Sequence, residues 1–221
     1  MTARHPGDDL LLPHAAGRLR PGQALLVDTH LETCAECRAR MRLLLDVGGA
    51  LLEDAESVAP QPASWVRTLH RIDAAPVAAP LARPQTIRAV GSLRRPSGWS
   101  WPRRLAACPT TGWRRLAPDM RYARVTADDD LDARLYLLWI GPGRSLPRHT
   151  HDGVEMTQVL YGTFGDGRAL FGPGDFDAAD DAVHHQPIVS RDGECLCLAY
   201  VEGRLRFDGR VASAIGGWIG L

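Results

Sequence analysis

The chain contains no lysine, and its 26 basic residues, all of them arginines, are balanced by 26 acidic ones, so that the formal net charge is zero. Proteins that bind nucleic acid generally show a basic excess or a strongly basic face. The lack of net positive charge therefore argues against a general nucleic-acid binder. We predict no direct nucleic-acid partner.

The sequence also lacks the long apolar runs of membrane proteins. Its N-terminus, MTARHPGDDL, has no basic stretch followed by an apolar one, as a signal peptide has, and the apolar stretch 211–221 is too short to cross a bilayer. These features predict a cytoplasmic protein with no membrane partner. Because thiols stay reduced there, the five cysteines are predicted to be ligands, sensors or core residues rather than disulfides.

Two patterns of residues divide the chain. Leucines recur at helical spacing through residues 8–56, with a helix start signal at Pro21-Gly22, and a fourth helix is predicted over 63–73. Pro13 is expected to kink or shorten the first helix. Later in the chain, short β-like runs alternate with Gly, Pro and Asp, which is typical of a sandwich or barrel. The predicted strands cover 133–140, 155–160, 169–171, 188–190 and 195–201.

The first group of candidate ligands is His30, Cys34 and Cys37. Their spacings of four and three place them on one helical face or across a tight helix–helix junction. Thiolates and imidazoles in a tetrahedral array are what zinc prefers, and a two-residue gap lets two cysteines bind one ion. A closed site needs a fourth ligand, for which His5 and His14 are the upstream candidates. The alternative interpretation makes both cysteines core residues and His30 a surface residue.

This motif, H-x3-C-x2-C between two helices, resembles the zinc-binding anti-sigma domain of bacteria, together with Arg38-Ala39-Arg40 and the leucine-rich helix that follows. The resemblance implies a partner, a group IV (extracytoplasmic-function, ECF) sigma factor. In that family the fourth ligand is a histidine some two dozen residues upstream, a distance that favours His5 over His14. The implied zinc ligands are His5, His30, Cys34 and Cys37.

A second group of candidate ligands lies in the β region. The pattern Gly143-x5-His149-x-His151-x3-Glu155-x6-Gly162 is similar to the first cupin motif. Residues two apart on a strand face the same side, so both histidines should point into one cavity. The Asp152-Gly153 turn should return Glu155 to the same place on the next strand.

The second cupin motif should supply one more histidine, from His184 or His185. Adjacent strand residues face opposite ways, so only one of the two should reach the metal. We favour His185, because His-x-Pro leading into a β run resembles the equivalent site in related proteins. The motif departs from the general pattern, since no Asn follows at the usual spacing and Pro173 is displaced. The set His149, His151, Glu155 and His185 suits zinc, iron, manganese or nickel.

The two motifs in this order resemble the ChrR-type anti-sigma factors. The predicted fold is therefore α+β multidomain: a zinc-binding anti-sigma bundle of about four helices (1–76), a Pro/Ala/Arg linker (77–97), and a C-terminal antiparallel cupin β-barrel (98–221). The resemblance implies a non-enzymatic regulator that binds and inhibits its sigma factor in a 1:1 complex. The cupin domain would release sigma in response to singlet oxygen or organic hydroperoxide.

Two other functions fit the same motifs. Three histidines and a glutamate also form the ligand set of cupin metal-dependent dioxygenases, in which case the N-terminal domain would be an accessory. A sensing module that acts on another protein partner would share the architecture.

Two further features are predicted to be structural. Cys195 and Cys197 should share one face of a strand, and we favour buried residues of the barrel wall over redox partners of the cupin metal. The arginines and tryptophans of 94–124 are predicted to cover the barrel rather than bind single-stranded nucleic acid.

Overall fold

Four helices form the N-terminal part of the structure. The structure is a computed structural model and describes residues 4–74, 88–127 and 133–208. The helices are α1 (Asp8–Ala15), α2 (Pro21–Thr33), α3 (Ala35–Glu53) and α4 (Ser64–Asp73). Helix α2 begins at Pro21 as predicted, because the fixed φ of proline suits the first helical position. Pro13 lies inside α1, which ends two residues later. The helices α2 and α3 are separated at Cys34, whose backbone is extended.

The rest of the described chain is mainly β-structure. A 3-10 turn (Val90–Ser92) and a short helix α5 (Arg103–Ala106) precede the strands. The strands are β1 (Arg114–Ala117), β2 (Met120–Val125), β3 (Ala133–Ile140), β4 (His149–His151), β5 (Glu155–Tyr161), β6 (Phe164–Gly165), β7 (Leu170–Phe171), β8 (Phe176–Ala179), β9 (Ile188–Val189), β10 (Cys195–Glu202) and β11 (Leu205–Phe207).

The strands form antiparallel sheets of a cupin-like barrel. The largest sheet has the order β1-β2-β3-β10-β5-β8, and smaller sheets pair β11 with β4 and order β7-β6-β9. In register, β10 lies between β3 and β5, with Leu198 opposite both Leu137 and Gln158. The predicted class, helices followed by an antiparallel cupin barrel, is confirmed.

The large sheet separates two apolar cores. Alternate residues of β10, such as Leu198 and Tyr200, face the helices and pack in one cluster with Leu26 of α2. Cys195 and Cys197 occupy odd-numbered positions of the same strand and face the barrel interior with Val159. Alternation along a strand produces this division, because successive side chains point to opposite faces. The helical layer therefore packs directly on the wall of the barrel.

The segment predicted as a linker, 77–97, lies within the described residues only from 88 onward. Val90 and Leu93 are buried there in the same core as the helices, which the lack of periodicity did not indicate. Trp101 is buried in this core as well, and Trp99 and Trp113 pack against it. The apolar stretch 211–221 lies outside the described residues, and the domain boundaries stay predictions. Within the described residues no helix is long and apolar enough to span a membrane.

The contact between α2 and the barrel depends on a glycine. A Cβ atom at Gly22 would lie 2.8 Å from a ring carbon of Tyr200 on β10. We expect Gly22→Val to lower the free energy of unfolding by about 2 kcal/mol, because overpacking a rigid contact costs roughly 1–3 kcal/mol. Urea unfolding measures the effect. Gly48→Ala in α3 is the matched control: a Cβ there meets nothing within 4 Å, so this change should stabilise by roughly 0.5–1 kcal/mol. Equal stability of Gly22→Val and the unsubstituted protein would contradict the close contact.

Candidate metal centres

The first cluster joins four side chains from three short stretches of chain. His5 comes from the segment before α1, His30 from the last turn of α2, and Cys34 and Cys37 from the cap and first turn of α3. Their four ligand atoms all lie within 4.8 Å of one another. Nδ1 of His5 is 3.3 Å from both sulfurs, and Nε2 of His30 is 3.2 Å from Sγ of Cys37. A tetrahedral zinc site requires nitrogen–sulfur separations of about 3.5 Å, so this donor set fits zinc.

Contacts behind the two imidazoles fix which nitrogen faces the cluster. Nε2 of His5 lies 3.4 Å from a carboxylate oxygen of Glu36, which leaves Nδ1 toward the cysteines. Nδ1 of His30 donates to Oε1 of Gln158 at 3.0 Å, which leaves Nε2 toward Cys37. Such outer contacts orient metal-binding histidines. The alternative ligand, His14, lies elsewhere, with Nε2 2.9 Å from Oδ1 of Asp28.

Burial affects the protonation of two members of this cluster. It lowers the pKa of His30, which keeps the imidazole neutral and its Nε2 lone pair available near neutral pH. Burial, with the nearby Cys34 adding to the shift, raises the pKa of Cys37 to about 12. A metal binding here must therefore displace the Cys37 proton, so its affinity should fall as the pH falls.

The second cluster lies inside the barrel and is buried throughout. His149 and His151 come from β4, Glu155 begins β5, and His185 lies in the loop before β9, where its backbone exchanges two hydrogen bonds of 3.1 Å with His149. Oε2 of Glu155 is 3.5 Å from Nε2 of His149, 2.6 Å from Nε2 of His151 and 3.3 Å from Nε2 of His185. His184, the other candidate, is exposed.

The geometry of this cluster is that of ligands around a common point. Although Nε2 of His151 and Oε2 of Glu155 are close, they do not have hydrogen-bond geometry, and both buried atoms lack a hydrogen-bond partner among the described residues. Burial alone would raise the pKa of Glu155, but the three imidazoles close to its carboxylate hold that pKa well below the usual range. An anionic carboxylate among three imidazoles fits a divalent transition metal. Leaving these buried groups unmatched would cost free energy.

Each histidine of the second cluster has a contact on its outer nitrogen. Nδ1 of His149 donates to the carbonyl of Pro147 at 2.8 Å, and Nδ1 of His151 lies 3.5 Å from the carbonyl of Asp180. Nδ1 of His185 lies between Asp166 and Arg168, at 3.6 and 3.5 Å. All three rings therefore turn Nε2 toward Glu155.

The sequence did not point to the acidic pair behind His185. Asp166 and Asp177 lie near that histidine, and Arg168 binds both, with Nη2 2.6 Å from Asp177. Burial would raise the pKa of Asp166, but hydrogen bonds from Arg168 hold it below the usual value. The guanidinium supplies positive charge to both carboxylates, and it lies 3.5 Å from Nδ1 of His185.

An apolar cavity of about 150 Å³ adjoins the second cluster. His149 and Glu155 form its polar end, and Tyr136 also lines it. Apart from Ser145, the remaining wall is apolar: Leu116, Ala117, Met120, Leu138, Leu146, Pro147, Ala199, Val201, Leu205 and Phe207. A cavity of this size can hold a molecule about as large as benzene.

The cysteine pair of β10 lies in the barrel interior. Sγ of Cys195 and Sγ of Cys197 are 3.6 Å apart and both side chains are buried, as either interpretation of the pair requires. The adjacent Cys195, followed by burial, raises the pKa of Cys197 well above its usual value. This thiol is therefore protonated near neutral pH.

A broad apolar surface is exposed on the third and fourth helices. Of the ten residues of α4, none is buried within the described structure. Leu52 is 77% exposed and Trp65 is 72% exposed. This apolar helix surface comprises Leu43, Leu45, Val47, Leu51, Leu52, Trp65, Val66, Leu69 and Ile72. So many exposed apolar side chains on neighbouring stretches of the sequence are typical of protein-binding sites.

Comparison with known proteins places these features in a family. Residues 103–203 match the model of the ChrR cupin-like domain. The chain is 38% identical over 209 residues to anti-sigma-E factor ChrR of Cereibacter sphaeroides, covering 94% of each chain. It is also similar to a chain in the crystal structure of Rhodobacter sphaeroides SigE in complex with the anti-sigma ChrR, with 35% identity and a TM-score of 0.67, covering 91% of this chain and 100% of that one.

A solved RmlC-like cupin protein of Ralstonia eutropha is more distant, with 21% identity and a TM-score of 0.39 over 46% of this chain and 67% of that one. The match to ChrR, by contrast, extends over both the helices and the barrel. This chain therefore belongs to the ChrR family of anti-sigma factors.

Proposed function

We propose that this protein binds and inhibits a group IV (ECF) sigma factor in the cytoplasm, in a 1:1 complex formed by its N-terminal helices. The observation that carries the proposal is the similarity, over 91% of the chain, to a chain from a complex of SigE with the anti-sigma ChrR. Binding would cover sigma surfaces that contact RNA polymerase and so keep the target genes silent.

The apolar helix surface supports this assignment of the binding site. Trp65, Val66 and Leu69 form one stripe of α4, at spacings that place them on one face. Aromatic and aliphatic side chains on a helix face are anchors for a partner groove or helix. The sigma factor is the partner that family membership indicates for this surface.

The His/Cys cluster would hold zinc as a structural ion. His5, His30, Cys34 and Cys37 would be its ligands, and bound zinc would join the segment before α1 to the ends of α2 and α3. Metal binding of this kind contributes directly to folding free energy. We propose that it fixes the helices in the arrangement that sigma binds.

The barrel cluster would make the complex responsive to an oxidative signal. His149, His151, Glu155 and His185 would hold zinc or another divalent transition metal (iron, manganese or nickel), which supplies Lewis-acid or redox chemistry when bound. By family resemblance the signal is singlet oxygen or organic hydroperoxide. The barrel would act on the helices that pack on its wall, and sigma would be released.

Substitution on the apolar helix surface tests the proposed interface. We expect Trp65→Glu to weaken binding to the sigma-factor partner by at least about 30-fold, the cost of a hot-spot residue. Trp65 is 72% exposed, so the fold should not change. Isothermal titration calorimetry with purified proteins measures the affinity. Arg71→Ala, on the polar face of the same helix, is the control and should bind within about threefold. Unchanged affinity of the Trp65 variant would place the interface elsewhere.

A second candidate function is a cupin dioxygenase with an accessory N-terminal domain. The apolar cavity that ends at His149 and Glu155 favours it, because a substrate could lie there beside a metal. Oxygen consumption by the iron-loaded protein, with benzene-sized organic substrates, tests this alternative. Turnover without a sigma complex would support the enzyme; a stable sigma complex without oxygen uptake would support the anti-sigma factor.

A further inference from the structure

A side chain of the barrel supports the candidate zinc ligand His30. Oε1 of Gln158, on β5, accepts the hydrogen of His30 Nδ1 at 3.0 Å, although the two residues are 128 positions apart. Each of these side chains is only 1% exposed. An amide oxygen can only accept in this contact, so the proton stays on Nδ1 and the lone pair of Nε2 faces the sulfur of Cys37.

The strand that carries Gln158 also carries Glu155 of the barrel cluster. Gln158 faces the helices together with its neighbours Met156 and Leu160, whereas Glu155 and Val159 belong to the opposite face. At a rise of about 3.3 Å per residue, the Cα atoms of Glu155 and Gln158 are roughly 10 Å apart. A shift of β5 at one cluster is therefore transmitted over a short, hydrogen-bonded length of strand to the other.

The neighbouring strand β8 repeats this arrangement. It pairs antiparallel with β5, with Phe176 opposite Gln158 and Ala179 opposite Glu155. The ring of Phe176 packs edge-on against His30, with ring centroids 6.1 Å apart. The backbone N–H of Phe176 donates to the carbonyl of Arg4, the residue before His5. Beyond the other end of the strand, the carbonyl of Asp180 lies by Nδ1 of His151. Both strands thus contact both clusters.

We propose that Gln158 is a positioning residue for the zinc site, and that through it the β5–β8 pair couples the barrel cluster to that site. The amide of Gln158 fixes the tautomer and ring orientation of His30, as outer contacts of metal-binding histidines do. A disturbance of Glu155 then changes the zinc affinity of the helical site. By thermodynamic linkage the coupling is reciprocal for binding. The inference rests on the proposed function only in assigning zinc to the His/Cys cluster.

The first test measures zinc affinity in the full-length protein. Gln158→Met removes the acceptor at similar volume, and we expect it to weaken zinc binding at the His/Cys cluster by roughly 10-fold or more. Gln158→Glu keeps an acceptor oxygen and should bind within about threefold of the unsubstituted protein. Met156→Leu, on the same face of β5, is the packing control and should change nothing. Competition with a chromophoric chelator gives the affinities.

Cobalt substitution reports the geometry of this site separately from the barrel. Only the cluster with cysteines gives thiolate-to-cobalt charge-transfer absorption, so the barrel cluster does not contribute to that band. We expect the band to shift or weaken in Gln158→Met and to be restored in Gln158→Glu. An unchanged band and unchanged zinc affinity in Gln158→Met would overturn the positioning role.

The second test combines Gln158→Met with Glu155→Gln. In the presence of Gln158, Glu155→Gln should weaken zinc binding at the helical site by about 5-fold or more, within the usual range of coupling between sites. In the Gln158→Met background it should have no further effect. No effect of Glu155→Gln in either background, or the same effect in both, would overturn the coupling.

The same proteins separate this inference from the proposed function. If full-length protein with intact Cys34 and Cys37 bound no zinc and no sigma factor, the proposed function would fail. If it bound both and the Gln158 variants behaved like the unsubstituted protein, only the coupling through β5 would be wrong.

Discussion

Replacing Cys37 by serine should eliminate zinc binding at the helical site and abolish sigma binding. Cys37 is buried, and its sulfur lies 3.3 Å from Nδ1 of His5 and 3.2 Å from Nε2 of His30. Structural zinc sites contribute about 10–16 kcal/mol to the folding of small domains. Losing even 4 kcal/mol of that stabilisation in the sigma-binding arrangement would weaken the complex by about 1,000-fold. Metal analysis and calorimetric titration with the sigma factor measure both effects.

The matched control for this prediction is Cys108→Ser. Cys108 is only partly buried and lies outside both metal clusters, so its replacement should leave the zinc content and sigma affinity unchanged. A Cys37→Ser protein that kept its zinc, or that bound sigma within about threefold of the original affinity, would refute the structural role of this cluster.

Both ligand clusters could be predicted from the sequence because most of their members are close together in the chain. The spacing of His30, Cys34 and Cys37 is set by one helix junction, and that of His149, His151 and Glu155 by one turn between strands. The distant members, His5 and His185, came from family resemblance. The structure places both histidines in the clusters. Metal binding by these residues stays a prediction.

The contacts behind the ligands could not be predicted in this way. Gln158 contacts His30 from 128 residues away. Arg168, in the turn between β6 and β7, binds both Asp166 and, on β8, Asp177. Such pairings depend on tertiary packing and leave no periodic signal in the sequence. The positioning role of Gln158 was therefore visible only in the structure.

Strand prediction succeeded for the long apolar runs and for the two-residue apolar strands β7 and β9, and it failed for β1, β2, β6, β8 and β11. β3 was predicted with its observed ends, and β10 to within one residue. β1, β2 and β8 were not predicted: exposed arginines interrupt the first two, and β8 has only four residues, FDAA. So few residues give little alternation to detect. Val90 and Leu93 were assigned to the linker for the same reason, since two buried side chains in a Pro/Ala/Arg-rich stretch form no pattern.

Glu155→Gln should separate sigma binding from sigma release. The pKa of Glu155 is held well below its usual range, so the native side chain is an anion facing three imidazoles. The amide has the same shape but no charge, and we expect the barrel cluster to lose at least about 100-fold in metal affinity, more than outer-shell changes usually cost. Sigma should still bind within about threefold, because the apolar helix surface is unchanged. Organic hydroperoxide should no longer accelerate dissociation of the complex.

The weaker zinc binding expected from coupling through Gln158 does not alter this result. A structural site worth about 10–16 kcal/mol remains filled after a 5- to 10-fold loss of affinity. Asp152→Asn is the matched control, because it removes a carboxylate charge three residues away that pairs with Arg206 outside the cluster. The dissociation of fluorescently labelled sigma is followed with and without hydroperoxide. The oxidant should accelerate it in the unsubstituted protein and in Asp152→Asn, but not in Glu155→Gln. Hydroperoxide-driven release from Glu155→Gln would show that the signal is sensed outside the barrel cluster, with the thiols of Cys34 and Cys37 as the next site to examine.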